Sequence, residues 1–525
     1  MNSDFDYIVV GSGAAGAAAA WRLSEKKSKV LVLELGDHVE HTDYPTANKN
    51  WEQLKKTKFN PVASKRNGLF DYPVNDDGSP IALCNFNAVG GSTILFSAHF
   101  PRFLRKDFRT KTECDVGVDW PISYDDLLPY FELNEKEMAL SGLPGDPFYP
   151  EIKAALPPVP LGKVGEALAK GFNNLGWHWW PSFAAISTKD INGRSKCINL
   201  GPCNAGCPQQ AKSSVDQTYL KNAKLNGITL ISRFSVSKVI VEGSIAVGVE
   251  GFDENGIRTT FYGGKIILAA SAIGTPRILL NSNSKYFPDG LANSSGLIGK
   301  NLMLHPLGYV EGIFKDYLET DSGPQGCMLY SLEHHRTQGD NHKLGYMMHA
   351  LRGGGPVEIA QAALARKKLR FGKYLYEDFN NFYGKQSVIA IICEDIPIET
   401  NQISLDTTAL DRFGQPGIKI NYQLHPNTQK MLIHGMSSAR KVMKEAGAIK
   451  SYAHGPVKNT GWHIMGTCKM GSNPKTSVVG INGKTHDIDN LFVVDSSVFP
   501  TSSCVNPANT IQTLSLYLAD QIHEL

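Results

Sequence analysis

Near the start of the chain, Gly11-Ser12-Gly13-Ala14-Ala15-Gly16 and then Glu34 have the types and spacing of a nucleotide site. In such a G-x-G-x-x-G run the first glycine permits a tight turn and the second lets backbone approach a pyrophosphate. The third lets a helix lie close to a strand. The helix that follows offers free N–H groups and a positive dipole end to phosphates, and an acidic residue about twenty positions on accepts ribose hydroxyls. Glu34 fits that part. Among 50 glycines a match arises easily by chance, so a Gly-rich turn in an ordinary α/β protein is the plain alternative. A second cluster, Gly90-Gly91-Ser92-Thr93, puts adjacent glycines before hydroxyl residues, where backbone can lie against a flat ring or a phosphate; alone it reads as a turn. A third group, Cys197-x5-Cys203-x3-Cys207 in a Gly/Pro/Asn loop, has the ligand type of an iron–sulfur cluster or zinc. Three thiols without a fourth are an uncommon metal set, so reduced or structural cysteines are the alternative.

The elements around the first cluster give it meaning. Residues 6–10 read as a buried strand, 14–24 as an Ala-rich helix and 29–33 as a second apolar strand closed by Glu34, which is a βαβ unit of ordinary span. Residues 40–85 are polar and read as irregular. Helical character follows Pro121, starting near Tyr124-Asp125-Asp126-Leu127. Residues 226–268 alternate short Val/Ile runs with turn residues, as antiparallel hairpins do, and 265–269 is again fully apolar. Residues 310–460 mix strands with a basic helix over 360–370. A strand at 490–494 and a helix over 509–522 return to the style of the N-terminus. The chain thus predicts an α/β (α+β) protein, in which a Rossmann-like domain is assembled from separated segments (1–105, 209–308 and 461–525). A substrate domain with an antiparallel sheet and helices (106–208 and 309–460) is inserted between them.

Composition sets outer limits. At 525 residues the chain exceeds one ordinary core. Its net charge of +3, from 53 basic against 50 acidic residues, supplies no electrostatic case for nucleic acid or an anionic membrane. No run approaches a membrane span, no secretory segment is read, and nine mostly scattered cysteines suit a reducing cytoplasm. The aromatic run Trp177-His178-Trp179-Trp180 reads as packing, with a stacked sugar ring as the alternative.

The fingerprint alone does not choose between NAD and FAD. Taken in order, five stretches resemble the glucose–methanol–choline (GMC) oxidoreductase family over essentially the whole length. They are the fingerprint through Glu34, and Val89-Gly90-Gly91-Ser92-Thr93 with Pro101-Arg102. Then come residues 119–127 with Pro129-Tyr130, and residues 269–276 with Gly299-Lys300-Asn301-Leu302. Last are residues 463–471 with 494–500 and Asn506-Pro507. The look is nearest to pyranose oxidases and bacterial FAD-dependent sugar and alcohol dehydrogenases.

That resemblance implies FAD and oxidation of an alcohol by hydride transfer to the flavin N5. It implies His463 as the base and Asn506 as its polar partner, an amide that orients the substrate oxygen and cannot titrate. It also places Asp495 by the flavin's ribityl chain and pyrophosphate, counts Ala270 among the cofactor-binding residues, and puts Val239, in the strand over 236–241, by the adenine. Some relatives bind FAD covalently through a histidine soon after the second glycine cluster. Here Thr93-Ile94-Leu95-Phe96 holds none and His99 lies further on, so non-covalent FAD is expected. Some sugar dehydrogenases of the family hold a three-iron cluster on a similar cysteine loop, which keeps an iron–sulfur cluster at Cys197, Cys203 and Cys207 among the expectations. The substrate is then a small alcohol or sugar and the acceptor dioxygen, a quinone or a redox protein, with a partner subunit or homo-oligomer allowed. Two alternatives stand beside this: the flavin subunit of an electron-transfer dehydrogenase complex, and a lyase that keeps FAD on the same fold.

Overall fold

The structure is a computed structural model, and it describes residues 4–336 and 341–525. β1 (Phe5–Val10), α1 (Ala14–Glu25) and β2 (Val30–Leu33) form the N-terminal unit. Tyr7 to Val10 are buried on both faces, as a central parallel strand requires. Val9 pairs with Val32 on one side and with Ile267 on the other. The parallel part of this sheet runs Thr229–Ile231, β2, β1, Arg258–Leu268 and Leu491–Val493. Five chain-distant segments therefore share one layer.

Arg258–Leu268 belongs to two arrangements. Its last residues pair in parallel with β1, while its first pair antiparallel with Ile245–Phe252, which pairs in turn with Ser235–Glu242. The hairpin expectation for 226–268 therefore holds for the middle of that stretch and not for its ends. Those ends, Thr229–Ile231 and residues 265–268, pair into the parallel layer, where Ile266, Ile267 and Leu268 are fully buried. α1 packs against the C-terminal helix Ala508–Glu524, where Ser515 Oγ donates to the Ala15 carbonyl at 2.7 Å and Arg22 makes two 2.8 Å bonds to Asp520.

A second, six-stranded sheet is antiparallel in order Lys450–His454, Leu307–Ile313, Gln386–Cys393, Tyr346–Leu351, Leu329–Ser331 and Trp180–Pro181. Helix Pro426–Glu445 lies on it with Met431, Leu432, Ala439, Val442 and Met443 buried, the three-and-four spacing of an amphipathic helix. The tryptophan run packs here as well: Trp180 starts the edge strand and its indole donates to the Leu143 carbonyl at 2.7 Å.

Two expectations need correction. The polar stretch 40–85 contains the strand Val74–Gly78, which pairs with Pro416–Asn421 in a three-stranded sheet; a strand half-exposed and polar on its own carries no apolar pattern. The basic stretch is not one helix. Helix Pro356–Ala365 ends before Arg366, and Lys367 has a φ of +54°, which a right-handed helix cannot continue through.

Candidate active site

The fingerprint turn is held by contact rather than by propensity. Gly11 has a φ of +99°, and a side chain there would meet the Ala269 carbonyl oxygen at 2.5 Å; at Gly16 it would meet the Gly11 carbonyl oxygen at 1.9 Å. Gly13 differs. The nearest heavy atom to a side chain at Gly13 is Gly91 Cα at 3.9 Å, so its backbone faces open space. Glu34, buried at the end of β2, accepts from Ser12 N and Gly36 N at 2.8 Å and from Ser12 Oγ at 2.7 Å. Burial raises its carboxyl above the usual range, against those hydrogen bonds. Ser12 Oγ also accepts from Gly90 N at 3.3 Å, which ties the two glycine clusters together.

A cleft enclosing about 1180 Å³, the open solvent at its mouth included, lies where the parallel strands end, lined by Val10, Leu33, Ala269 and Asp495 at or just past the ends of four of them. This is the carboxyl edge at which such sheets bind ligands. Of the residues singled out from sequence, Gly11, Gly13, Ala14, Ala15, Glu34, Gly91, Ser92, Thr93, Ala270 and Asp495 line it. Ser12, Gly16 and Gly90 stand behind the wall as supports. Val239 does not line the cavity: its N–H is taken by Ser282 Oγ at 2.9 Å, whereas Phe234, Ser235 and Val236, just before and at the start of the same strand, do line it.

α1 begins at Gly13 with no side-chain cap and no acidic residue in its first turn, so its leading N–H groups are left for an anion. Tyr72, Phe86 and Trp462 add aromatic walls that sequence reading missed. Nothing in their local sequence marks them, because they reach the cavity from separate loops. The space, the open backbone at Gly13 and the uncapped helix suit an adenine dinucleotide with a flat ring system. Asp495 is fixed by Thr275 Oγ1 at 2.6 Å and Ser497 N at 2.9 Å.

His463 sits between two lining residues, Trp462 and Ile464, and Asn506 precedes another, Pro507. Asn506 Nδ2 lies 3.1 Å from His463 Nε2, and both side chains are partly exposed. On its other edge His463 Nδ1 meets His305 Nδ1 at 2.9 Å. The partnership has a backbone cause: Met303 and Met465 exchange N–H···O bonds at 2.9 and 3.0 Å, which sets residues 303–305 beside 463–465.

Two histidines buried like His305 follow, His99 stacked on His349 at 4.2 Å between ring centres. Burial above all lowers the basicity of the set: to about 3 for His463, to about 4 for His349, and well below the ordinary value for His99 and His305. All four are neutral near pH 7. His305 and His349 escaped the sequence reading; His305 stands three residues past Leu302 in the fourth stretch, where proximity to the motif was the available signal.

The cysteine loop does not gather the compact ligand set of a single metal ion. The ligand atoms of Cys197, Cys203 and Cys207 do not share one shell. Among the described residues the group of that compactness is Asp107, His335 and Glu394. That group is already paired: Arg336 bonds Glu394 at 2.7 Å and lies 3.3 Å from Asp107, and His335 bonds Asp107 at 2.9 Å. Burial pushes the Cys203 thiol up to about 12, and Lys212 beside it spends its ammonium on the carbonyls of Ile94, Phe96 and Cys203. The iron–sulfur expectation gains no support from this geometry. All nine cysteines are free thiols.

The Rossmann-like sheet with a cavity and an uncapped helix at its carboxyl edge is the architecture of an FAD-binding oxidoreductase. The chain belongs to the GMC oxidoreductase family, matching it over residues 5–307 and 397–515. It is 35% identical to 2-methyl-1,2-propanediol dehydrogenase of Mycolicibacterium austroafricanum, over 98% of this chain and 95% of that one. It is 26% identical to paromamine 6'-oxidase of Streptomyces fradiae, over 99% and 91%. Among solved structures, pyridoxine 4-oxidase from Mesorbium loti aligns with a TM-score of 0.67 at 17% identity, over 99% of this chain and all of that one. Formate oxidase of Aspergillus oryzae RIB40 aligns at 0.66 and 17%, over 99% and 98%; both likenesses concern the fold. The protein is thus an oxidoreductase of a family that binds FAD and acts on alcohol-type donors. No helix among the described residues is long and apolar enough to cross a membrane.

Proposed function

We propose that the protein oxidises a small alcohol or diol, with His463 as the base and Asn506 as its partner at a non-covalently held FAD. FAD in the cavity supplies the acceptor for the hydride. The observation that carries the reading is the pairing of His463 Nε2 with Asn506 Nδ2 at 3.1 Å beside the cavity wall.

The proton positions follow from the surroundings. His305 is neutral and its ring interacts with the Ser503 backbone; with Nδ1 taken up by His463, Nε2 is the edge left for that contact. A proton on that edge leaves His305 Nδ1 as an acceptor. His463 then carries its own proton on Nδ1, donates it to His305, and presents a bare lone pair on Nε2. A substrate hydroxyl between the pair donates to His463 Nε2 and accepts from Asn506 Nδ2. As the hydride leaves carbon, Nε2 takes the hydroxyl proton. Asn506 Oδ1, buried and without a partner among the described residues, remains to accept from a second substrate hydroxyl. That feature and the likeness to a propanediol dehydrogenase favour a vicinal diol or sugar over a simple alkanol.

The test is anaerobic flavin bleaching with diols, sugars and simple alcohols. His463→Ala is expected to retain FAD and slow bleaching by at least ~10²-fold, the scale of a positioned base; unchanged bleaching removes the assignment. Because residues 93–96 hold no histidine, acid precipitation is expected to leave the yellow colour in solution, and a coloured pellet would count against non-covalent binding.

A further inference from the structure

Helix Pro356–Ala365 and helix Leu375–Asn380 belong to an excursion between two strands of the antiparallel sheet, Tyr346–Leu351 and Gln386–Cys393. Its base is anchored. Ile359, Ala363, Leu369 and Phe382 bury against Ile313, and Arg366 pairs with Glu311. Its tip is not. Residues 370–377 are all exposed, and among them Phe371 is 79% and Tyr376 77% accessible, with Tyr374 and Leu375 beside them. Exposed single apolar residues are ordinary, but four at one loop tip are not.

The charges around that tip are mostly basic. From Arg366 to Glu377 the chain carries five basic residues and a single acidic one, the exposed Glu377. Arg370 is held inward by Asp378 at 2.7 and 2.8 Å and lies over the Tyr374 ring at 4.2 Å. Lys367, Lys368 and Lys373 are exposed and enter no ion pair among the described residues. The whole-chain balance of +3 conceals this cluster because it is local.

We infer that this loop is a docking surface for an anionic lipid bilayer, with Phe371 and Tyr376 entering the interface and Lys367, Lys368 and Lys373 facing the headgroups. Aromatic and aliphatic tips flanked by lysines are how a protein lies on a membrane without crossing it, and each lysine near an anionic surface adds to binding. A protein partner would need a shaped patch of several hundred Å² with charged residues confined to its rim. Here the lysines stand among the apolar tips in a protruding loop, which fits a fluid surface and not a pocket. Such docking places an enzyme that passes electrons onward beside membrane-dissolved acceptors. It is independent of His463 and of the substrate.

Flotation of the full-length FAD-loaded protein tests it, with phosphatidylcholine vesicles against vesicles containing phosphatidylglycerol. Binding is expected only to the anionic vesicles and is expected to weaken at high salt. The Lys367→Glu/Lys368→Glu variant is expected to lose roughly 30-fold in affinity. Phe371→Ser/Tyr376→Ser is expected to lose binding as well, and both variants should keep the parent's melting temperature and solution activity. Absence of binding to anionic vesicles overturns the proposal, as does binding that neither variant changes. Light scattering that shows a dimer broken by the Phe371→Ser/Tyr376→Ser variant would assign the loop to self-association and overturn it too.

Discussion

At the scale of single residues, the proposed reaction rests on which ring nitrogen of His463 carries a proton, and a neighbour decides that. His305 touches His463 Nδ1 at 2.9 Å, so in that proposal it is a positioning residue and not a base. His305→Phe keeps ring bulk but removes the acceptor. It is expected to lower kcat by about 10-fold or more, the order of a lost buried hydrogen bond to a reacting group, while KM changes little. The pH profile separates this from general damage. Burial puts His463 at about 3, so the base is free throughout the neutral range and the acid limb of kcat/KM should fall below pH 5. In His305→Phe the proton is free to move to Nε2, so the rate should be depressed even on the alkaline plateau. A parent profile with its acid limb near 6.5 would contradict the burial argument.

At the scale of elements, the fingerprint works only because α1 presses on the turn before it. A methyl group at position 16 would sit 1.9 Å from the Gly11 carbonyl oxygen, and backbone cannot yield as a flexible side chain does. Gly16→Ala should therefore displace α1, lower stability by at least about 1–3 kcal/mol as overpacking does, and reduce the FAD carried per chain. The ratio of flavin to protein absorbance in purified material reads the second effect, and full flavin content would show that the contact relaxes harmlessly. The same logic explains what was legible. β1, α1 and β2 are local, apolar and bounded by glycines, and they appear within a residue or two of expectation. Val74–Gly78 and the end of the helix at Ala365 were not legible, since one strand depends on a partner more than 300 residues away and the helix stops where Lys367 adopts a left-handed conformation.

At the scale of the molecule, four neutral imidazoles, three buried and that of His463 half-buried, link stability to pH. His99, His305, His349 and His463 are all less basic folded than unfolded. Below the unfolded value of about 6.5 the unfolded chain takes up protons that the folded chain refuses, so stability falls as pH drops from 6.5 towards the folded values. Glu34, Glu137, Asp395 and Asp495 shift upward and pull the other way, Asp395 to about 7. Between about pH 5.5 and 6.5 the protons that the unfolded chain takes up on four imidazoles outweigh the one that Asp395 holds in the folded chain. Denaturation midpoints should therefore decline from pH 7 to 5.5, and His349→Phe should flatten that slope. A midpoint that rises on acidification would reverse the assignment.

The amino-acid sequence determined the dinucleotide unit, the order of the family's stretches and the identity of the His463 and Asn506 pair. Each of these is written in residues close together in the chain or in motifs recognisable one at a time. Tertiary structure alone decided that residues 303–305 lie against 463–465, which makes His305 the partner of His463. It alone brought Phe234, Ser235 and Val236 rather than Val239 to the cavity wall, kept three closely spaced cysteines from forming the shell of a single ion, and lifted Phe371 and Tyr376 clear of the core. The physical reason is common to all four. Which atoms meet across a cavity or face solvent depends on backbone pairings between distant segments, and nothing in the local sequence records those distances.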